Sequence, residues 1–190
     1  MSNPTNYDWQ RAKRVLRYLK GSRDLKLVYS SLTNEVEIYT DASYKDLKPS
    51  NKTTEGFIIK VFGDVISWAA RKRRRRVTST CEAEFRVLNE GIREMKCIQS
   101  TIKSVMRDYI YPVVAFCDSE SAIKCTTVTS KPKLKHVIEE EEQLVRECVK
   151  YGEVRIMKID TEDQLADICT KPLGLARFVK LRHELLHDEI

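Results

Sequence analysis

Residues 112–125 read PVVAFCDSESAIKC. The first part is an apolar run of strand length that stops on Asp118, which is how a central strand covered on both faces reads. SESAIKC after it reads as a short helix. Working toward the N-terminus, Ser79-Thr80-Cys81-Glu82 has capping-box spacing, so a helix starts there. Leu88, Ile92, Met95, Ile98 or Gln99, Ile102 and Val105 or Met106 continue one stripe along it. Before it stand GFIIKVF (56–62), a turn at Gly63-Asp64 and VISWAA (65–70), a hairpin pattern. VEIYTD (36–41) alternates as a strand ending on Asp41, and the polar stretch 43–54 is a loop. Further out, LKLVYS (25–30) reads as a short strand. Residues 8–20 carry Trp9, Ala12, Val15, Leu16 and Leu19 at helical spacing, with Gly21 as the stop. Toward the C-terminus, 136–152 is an amphipathic helix closed by Gly152, and EVRIMKI (153–159) is a strand. Thr161-Glu162-Asp163-Gln164 is a second capping box, predicting a helix to about Cys169 that Pro172 ends, and 175–188 is a last helix.

The resulting order is a three-strand meander followed by crossovers to parallel strands. It predicts an α/β fold with a mixed five-stranded sheet and helices on both faces. In such sheets ligands gather at the carboxyl ends of strands near the point where the order switches, here beside the first and fourth strands. A chain of 190 residues is expected to be one domain. Its 42% apolar and 33% charged residues exclude a disordered chain, and no apolar run is long enough for a bilayer. A net charge of +6 favours an anionic partner, most simply nucleic acid. MSNPTNYDWQ carries no secretory pattern. The six cysteines, with no CxxC among them, read as reduced cytosolic or nuclear thiols.

Asp41 and Asp118 both end strands. If those strands are central and parallel, the two carboxylates share a rim. Glu84 lies four residues before Leu88 and so falls on the buried stripe of the long helix. Glu82 faces elsewhere, engaged in the cap. Asp167 sits on the apolar side of the helix after the last strand. Two like charges ~4 Å apart repel by about 4 kcal/mol at an effective dielectric of 20, so a meeting of all four requires protons or cations. Oxygen ligands without histidine or thiolate favour magnesium or manganese. Two such ions would suit phosphodiester hydrolysis. Taken singly, each acid also reads as an ordinary solvated strand end or helix cap.

YTDAS (39–43), TTEGF (53–57), ISW (66–68), STCEAEF (79–85), CDSESAI (117–123), KHVIEEE (135–141), TEDQLADICTKPL (161–173) and ARFVKLR (176–182) occur in this order. Together they resemble the ribonuclease H region of copia-class retrotransposon Pol polyproteins. WQRAKRVLRYLKGS (9–22) is similar to the end of the reverse-transcriptase connection that precedes it. The resemblance spans residues 8–185. It implies a ribonuclease H-like fold and cleavage of the RNA strand of RNA–DNA hybrids with two Mg2+ or Mn2+ ions. Asp41, Glu84, Asp118 and Asp167 are then the catalytic, metal-binding acids. It also implies a division into a connection end (1–33, helix plus short strand), a ribonuclease H-like domain (34–172) and a C-terminal helix (173–190). The expected partners are an RNA–DNA hybrid and the reverse-transcriptase domain of the same polyprotein. The isolated domain is expected to be a monomer without membrane association, in the cytoplasm within a virus-like particle or in the nucleus. A relic that binds nucleic acid without cutting it is the alternative, and an integrase-type nuclease of the same fold would cut DNA instead.

The expected nucleic-acid contacts are Arg71, Lys72, Arg73, Arg74, Arg75, Arg76, Ser119 and His136. The basic run lies within two turns of Glu84, which favours phosphate contact over the competing readings, a solvated loop or an import patch. Ser119 stands where the family usually has asparagine, Glu55 interrupts its usual serine-threonine-serine-glycine string, and Glu139 replaces a common aspartate. The histidine-bearing loop of cellular ribonuclease H is absent between Ile159 and Asp167. Trp68 reads as core more than as a base-stacking residue. His183-Glu184-Leu185-Leu186-His187 matches HExxH, a zinc pattern without a downstream third ligand. The competing reading is an amphipathic end helix.

Overall fold

The structure is a computed structural model, and it describes residues 3–31, 33–43, 53–72, 77, 79–106, 113–127 and 139–186. Arg73–Arg76, His136, His187 and the first residues of the 136–152 segment lie outside the described residues. Its elements are α1 (Asn6–Gly21), β1 (Val36–Ser43), β2 (Thr54–Val61), β3 (Asp64–Lys72), α2 (Thr80–Val105), β4 (Val113–Cys117), α3 (Glu120–Thr127), α4 (Glu139–Lys150), β5 (Val154–Lys158), α5 (Asp167–Thr170) and α6 (Leu175–Leu186). The five strands form one sheet in the order β3-β2-β1-β4-β5. The β1–β2 and β2–β3 pairs are antiparallel. The β1–β4 and β4–β5 pairs are parallel. This is the mixed sheet that the element order predicts.

Strand side chains alternate between faces. Val36, Ile38 and Ala42 of β1 join Phe85, Leu88, Ile92 and Met95 of α2 and Val145 and Cys148 of α4 in the larger core. Tyr39 points to the other face, into a smaller core with Ile58, Leu165, Ala166 and Leu181. There it stacks on Phe116 of β4, ring centroids 4.9 Å apart. The central strand β4 is covered on both faces for this reason: Val113, Ala115 and Cys117 are buried on one side, and Phe116 packs on the other.

Several local expectations are corrected. LKLVYS is not a strand. The buried Asp64 carboxylate instead accepts the backbone N–H groups of Ser30 (2.7 Å) and Ser31 (2.9 Å), so this segment is tied to a side chain rather than a ladder. The hairpin turn falls one residue earlier than expected, at Phe62-Gly63, both with positive φ as a type I′ turn needs. The second capping box does not start a helix. Thr161–Asp163 is a single 3-10 turn. Gln164 is fully buried and donates to the Thr40 carbonyl at 3.0 Å, anchoring the loop to β1. At the start of α2, Ser79 does cap, accepting the Glu82 N–H at 3.1 Å. The Glu82 carboxylate is held by Arg86 at 3.1 Å, with both side chains buried. Trp68 is not core: it is 58% exposed at an apolar pocket it shares with Tyr18, Leu27 and Phe178. α1 forms as predicted but buries none of its residues, and its apolar stripe (Trp9, Val15, Leu16, Leu19) stays outside the core.

α2 lies close on β1 at Gly91, where an added Cβ would come 2.9 Å from Ile38 Cγ2 and 3.2 Å from Thr40 Cγ2. Overpacking there costs typically 1–3 kcal/mol, against the ~1 kcal/mol that alanine gains over glycine within a helix. Gly91→Ala is therefore expected to lower unfolding stability by up to about 2 kcal/mol in urea titrations. A stabilised variant would contradict this seating of α2.

Candidate active site

Because β1 and β4 are parallel neighbours, Asp41 near the end of β1 and Asp118 just after β4 come out on the same rim. Asp41 is 1% exposed and, by strand parity, projects to the side of α5. There it accepts a hydrogen bond from the Thr170 hydroxyl and one from Lys171 Nζ at 2.9 Å. Glu84 reaches the same rim from the opposite face, from the first turns of α2. Its Oε1 accepts the Ala42 N–H at 3.2 Å, and its Oε2 is buried without a hydrogen-bond partner. Asp167 is fully buried at the start of α5, not within a helix that begins at the second capping box as expected. Lys171 Nζ donates to its Oδ1 at 2.8 Å, and Arg177 to its Oδ2 at 2.5 Å.

The four acids converge. Ligand oxygens of Asp41, Asp118 and Asp167 lie within 4.8 Å of one another, and so do ligand atoms of Glu84, Cys117 and Asp118. Asp41, Glu84 and Asp118 border an open cleft of about 430 Å³ whose wall also includes Ser119, Thr80 and Lys171, and Asp167 lies buried behind Asp41 and Lys171. Ser119 also caps α3, accepting the Ala122 N–H at 3.3 Å.

α5 can approach Asp41 because Gly56 stands opposite it in register. A Cβ at Gly56 would sit 2.7 Å from Cys169 Cβ and 2.8 Å from Thr170 Cγ2. Lys171, Arg177, Thr170 and Gly56 were not singled out from sequence. The only sequence signal for Lys171 was its spacing of four from Asp167, the i, i+4 ion-pair distance.

The donor set suits a hard divalent cation. Its oxygens are close enough to share an ion, and one of them is a buried carboxylate oxygen with no partner. Burial, followed by the charge of Glu84, pushes the Cys117 thiol up to about 12, so it stays protonated and is a poor ligand. Of the expected nucleic-acid contacts, Arg71 is well exposed and lies 3.9 Å from Glu90. Lys72 is exposed too, and the register Ser43–Thr54–Lys72 puts it at the same end of the sheet as Asp41. His183 and Glu184 lie on α6. Neither belongs to a possible metal cluster among the described residues.

Burial, then the charges of Asp41 and Asp118, pushes Glu84 up to about 9. Burial also raises Asp41, against the hydrogen bond from Thr170 and the charge of Lys171. A carboxyl whose folded pKa is raised holds its proton in the native state after the unfolded chain has released it. Its contribution is complete below the unfolded value and is lost as pH rises through the folded value. The metal-free protein is therefore expected to lose stability between about pH 4.5 and 9, read as a falling urea midpoint in EDTA. Glu84→Gln should flatten that slope, and a midpoint that rises over this range would contradict the buried, crowded geometry.

No protein-family model matches the chain. The chain is 32% identical over 180 residues to the retrovirus-related Pol polyprotein from transposon RE2 of Arabidopsis thaliana, covering 94% of this chain and 12% of that polyprotein. The corresponding polyprotein from transposon RE1 of the same plant gives the same identity and coverage. That from transposon TNT 1-94 of Nicotiana tabacum is 28% identical over 182 residues, covering 94% of this chain and 13% of the polyprotein. The chain thus spans about an eighth of the length of these relatives. Among solved structures, the N-terminal RNase H domain of a Mycobacterium tuberculosis protein superposes with a TM-score of 0.53 at 12% identity, over 78% of this chain and 96% of that one. An RNase H1 isolated from compost gives 0.51 at 19% identity, over 73% and 94%. By sequence the chain is a homologue of retrovirus-related Pol polyproteins carried by transposons, and its fold is that of ribonuclease H.

Proposed function

We propose that this chain is the ribonuclease H of a copia-class retrotransposon Pol polyprotein, hydrolysing the RNA strand of RNA–DNA hybrids with two Mg2+ or Mn2+ ions. The observation that carries this reading is the meeting of Asp41, Glu84 and Asp118 on one open cleft, with the buried Asp167 carboxylate within 4.8 Å of those of Asp41 and Asp118. Asp41, Glu84, Asp118 and Asp167 would hold the ions between them. Bound there, the ions supply charge neutralisation at the phosphate and activation of the attacking water. The protein's own work is positioning. Ala42 N–H orients Glu84, Thr170 orients Asp41, and Arg177 holds Asp167.

The expected nucleic-acid surface is supported by the placement of Arg71 and Lys72. They end β3, two strand spacings (~10 Å) from Ser43 on the rim that carries Asp41. An exposed arginine and lysine there suit backbone phosphates, which position a duplex without reading its sequence. No helix among the described residues is long and apolar enough to cross a membrane. Attachment to the polymerase part of the polyprotein belongs to the same reading. It is supported by the Pol relatives, which run far beyond the matched segment.

The test is cleavage of an end-labelled RNA–DNA hybrid in Mg2+ or Mn2+. The RNA strand alone should be cut, and Asp41→Asn and Asp167→Asn should each lose at least ~100-fold in rate while keeping hybrid affinity. Arg71→Ala should weaken binding across sequences and lower the salt slope by roughly one. Cutting of DNA, or RNA cleavage that survives both aspartate substitutions, would overturn the reading. Salt-sensitive hybrid binding without cleavage would identify a binding relic instead.

A further inference from the structure

The charges of the cluster are distributed unevenly. Lys171 Nζ lies 2.9 Å from Asp41 Oδ1 and 2.8 Å from Asp167 Oδ1, so one ammonium bridges two carboxylates that are almost wholly buried. Arg177 takes the other oxygen of Asp167. In the other half of the cleft, neither Glu84 nor Asp118 forms an ion pair among the described residues, and Glu84 Oε2 has no partner.

A divalent ion shared by Asp41 and Asp167 needs the carboxylate oxygens that Lys171 already uses. Mg2+ draws its oxygens to about 2.0–2.1 Å, so the ion and the ammonium cannot both occupy that place. Lys171 has an exit. Its backbone is fixed by α5 against Gly56, but its side chain is 30% exposed and borders the open cleft, and a lysine stem has four rotatable carbons.

Resting on the reading that these acids hold divalent ions, we propose that Lys171 is a displaceable internal counterion. It neutralises Asp41 and Asp167 while that half of the cleft lacks an ion, and it swings out when a divalent cation enters. The two halves are then unequal. The Glu84–Asp118 half loads without competition, and the Asp41–Asp167 half loads against the ammonium. Lys171 is in this sense a positioning residue that sets the order and strength of metal loading.

The experiment is calorimetric titration of Mn2+ into the whole chain, comparing wild type with Lys171→Met, Lys171→Gln and Lys171→Arg, alongside melting in EDTA. Loss of the ammonium removes the competitor, so Lys171→Met and Lys171→Gln should bind Mn2+ about tenfold tighter or more. They should melt below wild type in EDTA and recover on adding Mn2+. Lys171→Arg keeps the charge and should stay near wild type. A purely architectural lysine would give weaker metal binding when removed, so equal or weaker Mn2+ affinity in both neutral variants overturns the proposal. Absence of Mn2+ binding by wild type is a different result: it overturns the metal-centre reading and this proposal with it.

Discussion

Mutual repulsion among carboxylates is the constraint around which this domain is built. Three of the four acids at the rim are buried, and each like-charge pair ~4 Å apart costs about 4 kcal/mol at an effective dielectric of 20. The fold meets that cost in three ways. Glu84 is pushed toward its protonated form by burial. Asp167 is held between Lys171 and Arg177. Asp41 shares Lys171 and a hydroxyl from Thr170. Burial works against the Lys171 ammonium, but its hydrogen bond to Asp167 and the attraction of Asp41 keep its pKa above the ordinary lysine value.

Such a cluster demands close approach of backbones from both faces of the sheet. On one face α2 rests on β1 at Gly91, which brings Glu84 to the Ala42 amide. On the other, the short α5 rests on β2 at Gly56, directly opposite Asp41. Gln164 ties the loop before α5 to the Thr40 carbonyl, one residue from Asp41. The rim of β1 is thus gripped from both sides. The same contacts that seal the two cores also hold the acids in place.

Much of the architecture was legible in the sequence. The apolar run PVVAFC, the alternation in VEIYTD and the stripe of α2 are strong periodic signals, and each corresponds to an observed element. Parallel neighbours at β1 and β4 then follow from the connection rules, and with them the meeting of Asp41 and Asp118. What failed were short segments whose backbone is held by side chains. LKLVYS has strand composition but answers to the Asp64 carboxylate. Thr161–Gln164 has cap spacing, but Gln164 spends its amide on β1. Lys171 and Arg177 escaped notice because a basic residue in sequence carries no sign of which acid it will meet. Gly56 matters through Cys169 and Thr170, far along the chain, and Gly91 through Ile38 and Thr40 of another element, contacts that local pattern does not encode.

Everything proposed for the cleft depends on its carboxylates holding divalent cations. The most direct measurement is a crystal of this chain soaked in Mn2+, with anomalous scattering recorded at the manganese edge. Peaks between Asp41, Glu84, Asp118 and Asp167, with Lys171 moved off Asp41, are the predicted result. Strong manganese peaks elsewhere on the chain and none among these four acids would contradict it.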